Sequence, residues 1–137
     1  LHERNLEIQS SIFEKINNIN NPLIKIKSIF NCYIDWINTD DFNGCLFKKA
    51  TIEVLQMYPS VKDQVNEYRD WIYKLVFSTF LELEIKDAHT LTSLFLNIID
   101  GIIIDGTINK TKINSEQTWS YINKLINFEA TQAYAAA

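Results

Sequence analysis

The chain has 137 residues, 47% of them hydrophobic, and a formal net charge of -4. That is enough for one domain with a single buried core, and it lacks the basic excess that phosphate contacts require; the lysines come as scattered pairs such as Lys25/Lys27, Lys48/Lys49 and Lys110/Lys112. The two cysteines, Cys32 and Cys45, have neither C-x-x-C spacing nor a nearby histidine pair, so zinc and a disulfide framework are not indicated and a reducing, cytoplasmic setting is expected.

From Leu1 to Ile19 the apolar positions Leu6, Ile8, Ile12, Phe13, Ile16 and Ile19 keep mostly three- and four-residue spacing, which puts them on one helical stripe. Asn20-Asn21-Pro22 stops this helix and starts the next, because asparagine caps free N–H groups and proline suits the first helical position. Leu23, Ile26, Phe30, Tyr33, Ile34 and Ile37 form the second stripe, and the polar turn 38–41 with Asn43-Gly44 breaks it. Between Gly44 and Pro59, Thr51-Ile52-Glu53-Val54 alternates as a strand would, whereas Leu46, Phe47, Ala50, Val54 and Leu55 suit a helix. The helix is the better reading, since a lone strand has no partner for its backbone groups.

Pro59-Ser60 opens the longest stripe, with Ser60 and Asp63 spaced as a capping box and Val61, Val65, Tyr68, Ile72, Leu75, Val76, Thr79 and Leu83 on one face. Asp87 caps a helix with a core stripe of Leu91, Leu94, Phe95, Ile98 and Ile102, which Leu96, Ile99 and Ile103 widen beyond the roughly 100° arc that covers a core. Gly101 sits inside it, at a cost of about 1 kcal/mol against alanine, and is either a site of close backbone approach, to the terminal helix or its mate across the dimer axis, or a tolerated glycine; Gly106 reads as the C-terminal cap. Asn114 or Ser115 starts the last helix, where Trp119, Ile122 and Ile126 make one apolar edge and Tyr121, Leu125 and Phe128 another. The Ala-rich stretch 130–137 carries no argument.

The expected fold is therefore all-α, an antiparallel bundle of about six helices. Two consecutive C-terminal helices with surplus apolar surface predict a homodimer built as a four-helix bundle, through Leu96, Ile99, Asp100, Ile103, Trp119, Ile122 and Ile126. Outside the Ala-rich tail no apolar run exceeds that of Ile102–Ile104, far short of the roughly 20 residues of a membrane span, and no signal segment is visible.

The residues Asp41-Phe42-Asn43-Gly44-Cys45-Leu46-Phe47, following Tyr33-Ile34-Asp35-Trp36-Ile37, resemble the Gly-Cys turn of many TetR-type C-terminal domains. The helix with Val65, Tyr68, Arg69, Trp71 and Ile72 is similar to that family's central helix, Leu94-Phe95-Leu96-Asn97-Ile98-Ile99-Asp100-Gly101-Ile102 to its penultimate one, and a terminal helix around Trp119 completes the order. The resemblance implies a transcription regulator whose connecting helix, 1–20, joins an upstream helix-turn-helix head absent here, and whose effector-binding and dimerisation domain spans 21–129. The start at Leu1 fits the same expectation. DNA would be a partner only through that head, and small-molecule binding would control it allosterically.

Phe30, Tyr33, Tyr68, Ile72 and Phe95 share stripe positions on helices that, by the same resemblance, surround a central cavity, and they are the candidate lining of an effector pocket; rings with a few hydroxyls suit small, largely apolar ligands, while for any single ring core filling is the plainer role. Cys45 reads as a small buried side chain more readily than as a redox sensor. His89 and His2 lack a base, nucleophile or metal partner by spacing, and Glu82/Glu84 and Asp40/Asp41 look like solvated surface. With no nucleophile elbow, phosphate loop or H-E-x-x-H, neither an enzyme nor a cofactor is expected. The competing reading is a helical protein–protein interaction module with a solid core.

Overall fold

The computed structural model describes residues 2–38, 62–109 and 114–136. Within them lie five helices and no strand: α1 (His2–Ile16), α2 (Pro22–Ile37), α3 (Lys62–Glu82), α4 (Ala88–Asn109) and α5 (Ser115–Ala136). The helix expected between Gly44 and Pro59, the Gly-Cys turn with Cys45, and the Ser60 cap lie outside the described residues.

Each described helix start that has a cap uses the residue whose chemistry foretold it. Asn21 Oδ1 accepts from the backbone N–H groups of Leu23 at 2.9 Å and Ile24 at 3.2 Å, with Pro22 at the first helical position. Asp87 Oδ1 accepts from Thr90 N–H at 3.2 Å, and Asn114 Oδ1 from Gln117 N–H at 3.1 Å. These bonds satisfy donors that an α-helix leaves open in its first turn.

Packing radiates from α2, which lies against α1, α3, α4 and α5, while α3 also packs on α4. Its buried positions Ile26, Ile29, Phe30, Tyr33, Ile34 and Ile37 recur at three- and four-residue spacing, and the pairs Ile29/Phe30 and Tyr33/Ile34 make the stripe broad enough to serve several neighbours. Around it gather Ile12 and Ile16 of α1, Ile72, Val76 and Phe80 of α3, Phe95, Ile99 and Ile103 of α4, and Trp119, Ile122 and Ile126 of α5. Phe30 meets Trp119 at 5.7 Å between ring centroids, and Phe80 meets Phe95 edge-on at 6.0 Å. Two buried hydroxyls are satisfied inside their own helices, Thr79 donating to Leu75 O and Thr92 to Ala88 O, both at 2.7 Å.

Helix α3 ends in a Schellman turn. Ile85 N–H donates to Phe80 O and Glu84 N–H to Leu81 O, with Ile85 and Phe80 both buried beneath the turn. The geometry places Glu84 at a φ of 59°, where a Cβ crowds the following carbonyl. Glu84→Gly removes that crowding and is expected to raise the unfolding free energy by about 1 kcal/mol, read as a higher urea midpoint at unchanged slope.

At the far end of α4 the reading of Gly106 is corrected and that of Gly101 is narrowed. Gly106 is not a C-terminal cap, because the helix continues to Asn109 and buries it. Gly101 faces open space: among the described residues nothing beyond its own helix backbone and chain neighbours lies within 4 Å of where a Cβ would stand, so no close approach among them accounts for it. By length and a mean hydropathy of 1.2, residues 88–106 could cross a membrane, but the same helix supplies Phe95, Ile99 and Ile103 to the core, as an internal helix of a soluble domain also does.

Candidate functional site: a tyrosine-floored cleft between four helices

Where α1 to α4 converge, a partly open cleft of about 300 Å³ remains. That is at the small end of the roughly 300–1,000 Å³ usual for small-molecule sites. Its apolar wall includes Ile8 of α1, Trp36 of α2, Ile72 of α3 and Leu96, Ile99 and Ile103 of α4. Ile72, Ile99 and Ile103 are core residues that also border the cleft, and Ile8, Trp36 and Leu96 are partly buried against that core.

The polar part of the cleft is compact. Tyr33 of α2 and Tyr68 of α3, both buried, share a hydrogen bond between their hydroxyls. At the rim Arg69 Nη2 donates to Asp100 Oδ2 at 3.1 Å, tying α3 to α4. Burial pushes the Tyr68 phenol up to about 12, with Asp100 adding to the rise and the hydroxyl of Tyr33 and the charge of Arg69 opposing it. Burial also holds Tyr33 well above the ordinary value of 10, reinforced by its neighbour Tyr68. Both are neutral hydroxyls at physiological pH.

A second cleft, of about 190 Å³, shares Ile8, Tyr33 and Trp36 with the first and adds Glu7, Ser11, Ile12 and Cys32. Cys32 is half-buried there as a free thiol, and desolvation raises its pKa, with Lys15 opposing and Asp35 assisting. A raised pKa leaves less thiolate, so this cysteine is not activated as a nucleophile. A third depression, between α2 and α5, is larger at about 690 Å³ but is walled by Lys27, Asn31, Asp35, Glu116 and other polar groups, with Trp119 its one large apolar side chain. It offers an apolar ligand little to bury against, so the cleft over the tyrosine pair is the better site.

Of the expected pocket residues, Tyr33, Tyr68 and Ile72 come together there. Phe30 and Phe95 do not: both are fully enclosed by ring contacts with Trp119 and Phe80 and fill the core. The residues assigned to a dimer contact divide differently from their assignment. Ile99, Ile103, Trp119, Ile122 and Ile126 are buried within the chain, which leaves them almost no surface for a second copy. Leu96, Ile99, Asp100 and Ile103 line the cleft instead.

No family model, curated protein or solved structure matches this chain.

Several contacts join residues too far apart in sequence for spacing to reveal. Arg69 and Asp100 are one; another is His89, whose Nδ1 lies 2.6 Å from the Tyr73 hydroxyl while its ring stacks on Phe77 at 4.2 Å. Lys25 approaches Glu82 at 3.6 Å, so Glu82 is engaged across the α2–α3 packing, in a partly exposed pair of small energetic weight. Among the described residues no group of three or more His, Cys, Asp or Glu side chains is arranged to hold a metal ion.

Proposed function

We propose that this chain is the effector-sensing and dimerisation domain of a TetR-type transcriptional regulator of the cytoplasm. A small, largely apolar molecule in the tyrosine-floored cleft would control DNA binding by a helix-turn-helix carried outside this sequence. The reading is supported by the order of the helices, by the motif resemblance, and above all by the place of α1 in the cleft. Ile8 of α1 faces the same space as Tyr33, Ile72 and Ile103. A ligand that prefers one placement of Ile8 therefore biases the placement of α1, and two such helices in a dimer set the separation of the reading heads. Recognition helices must stand about 34–36 Å apart to enter successive major grooves, so a small tilt of α1 is sufficient to release an operator.

Native mass spectrometry of the chain purified from its source organism is the direct test. It is expected to show a small molecule retained on the folded protein and lost on denaturation, and none retained by Leu96→Trp, which fills the cleft. Wild-type protein that carries and takes up no small molecule counts against the sensor.

In this proposal the helices form an antiparallel bundle, and α4 and α5 pair with their copies in a four-helix bundle. The surface available for that contact is the edge of α5 that the core does not use, with Tyr121 67% and Phe128 58% exposed, together with Leu94 and Ile104 beside Gly101 on α4. The open space over Gly101 suits a close approach by a second helix. In sedimentation at micromolar concentration the chain is expected to be a dimer. Replacing Tyr121 and Phe128 by glutamate should weaken it by roughly 30-fold or more, the loss of about 2 kcal/mol typical of an aromatic anchor.

The same exposed stripe favours the second reading, a helical interaction module that binds a different protein. The two separate on one measurement: a chain that stays monomeric at micromolar concentration leaves the stripe to a foreign partner.

A further inference from the structure

We infer that the depression between α2 and α5 is a second binding site, independent of the tyrosine cleft, and that it takes a neutral polyhydroxyl compound of the sugar class. It shares no lining residue with the two clefts over the tyrosines, and its volume of about 690 Å³ is within the roughly 300–1,000 Å³ of small-molecule sites. Two polar ridges border it. Lys27, Asn31 and Asp35 stand four residues apart on α2, and Glu116 and Ser120 keep the same spacing on α5, so each set shares one helix face.

Trp119 carries the inference. The residue is 9% exposed, with its ring held against Phe30 at 5.7 Å. Its indole N–H makes no hydrogen bond among the described residues, yet no buried side-chain nitrogen or oxygen among them lacks a partner. The N–H therefore lies in the small part of the ring that reaches the surface, and the depression is the space that this ring lines. A donor fixed by an otherwise enclosed ring is preorganised for an acceptor that the chain does not supply. Lys27, Asn31, Asp35, Glu116 and Ser120 likewise make no side-chain hydrogen bond or ion pair among the described residues, although Lys27 and Glu116 border one space with opposite charges.

The mixture of these groups selects the ligand. Asp35 and Glu116 only accept, Lys27 and the Trp119 indole only donate, and Asn31 and Ser120 do both. A hydroxyl answers all of them, because it donates and accepts at one atom, and its bonds to the carboxylates and the ammonium are charge-assisted without adding a charge of its own. The charged side chains are exposed and screened by solvent, so they select weakly between ions. With so little of the Trp119 face open, the indole contributes its N–H rather than a stacking platform.

The test is titration of the whole 15N-labelled chain with methyl β-D-glucopyranoside, methyl α-D-mannopyranoside and myo-inositol, with cyclohexanol as the ring bearing a single hydroxyl. The indole resonance of Trp119 is identified by its loss in Trp119→Phe or, should that variant not fold, by sequential assignment of the wild type. At least one of the polyols is expected to shift this resonance saturably and to bind at least about tenfold more tightly than cyclohexanol, leaving the indoles of Trp36 and Trp71 unmoved. Asn31→Ala with Asp35→Ala, both at exposed positions, should weaken that binding at least about fivefold. No response to any of the three polyols overturns the inference, as does cyclohexanol binding equally well or full affinity in the double variant. A tighter response to inorganic phosphate or to ethylammonium than to any polyol overturns it too, and assigns the groove to an ion.

Discussion

Phe30→Ala is expected to lower the unfolding free energy by about 3–5 kcal/mol, enough to unfold a large fraction of a domain of ordinary stability. Phe30 is fully enclosed on α2, the helix that contacts all the others, and its ring rests on Trp119 of α5. Removing the ring deletes the transfer free energy of a whole benzyl group and opens a cavity that α2 cannot collapse into without leaving its other neighbours. Phe13→Ala is the internal control. Phe13 is 59% exposed on α1, so the same chemical deletion there should cost under about 1 kcal/mol. Urea unfolding of the two variants checks both. Similar losses at the two sites would mean that α2 is not the packing centre of the domain.

The tyrosine pair predicts the second large effect, in alkaline stability. A phenol whose pKa is raised on folding stabilises the folded state fully below its unfolded value near 10, and that contribution is lost as pH rises through the folded value. For Tyr68 the window runs from about 10 to about 12, and Tyr33, held well above 10, extends the loss in the same direction. Stability should therefore fall steeply above pH 10, and spectrophotometric titration should show two of the six tyrosines resisting ionisation until the fold opens. Single replacements, Tyr33→Phe or Tyr68→Phe, remove one member of the shared hydrogen bond and each cost about 1–3 kcal/mol at neutral pH. The double replacement removes both hydroxyls together and should cost less than the sum, with a flatter alkaline limb. Additive costs and an unchanged alkaline profile would show that the two hydroxyls do not act as a pair.

Ligand binding and alkaline behaviour are linked through the same atoms. Because neither phenol is ionised at physiological pH, occupancy of the cleft should be insensitive to pH between about 6 and 9 so far as the tyrosine pair is concerned.

What was legible in the sequence is what depends on neighbours within a turn or two. The all-helical class followed from stripes at three- and four-residue spacing with little glycine or proline, and the caps at Asn21, Asp87 and Asn114 followed because a cap is a bond between residues two or three apart. Tyr33, Tyr68 and Ile72 are cleft candidates by their shared stripe positions, a criterion that equally picks Phe30 and Phe95, which fill the core.

Only the tertiary structure decided which of two apolar edges faces inward. Periodicity on α5 defines one edge through Trp119, Ile122 and Ile126 and another through Tyr121, Leu125 and Phe128, and either could meet the core or a partner. The position of Phe30 on α2 decides it, drawing Trp119 inside and leaving Tyr121 and Phe128 in solvent. On α4 the same choice turned Ile99 and Ile103 from an expected external contact into core and cleft wall, while Leu94, assigned by spacing to the core, is 43% exposed. The Arg69–Asp100 pair at the rim of the cleft joins residues 31 apart, and nothing in their local sequence marks them as partners. A hydrophobic stripe records how much of a helix must be buried. The direction from which its cover arrives belongs to the packing of the other helices.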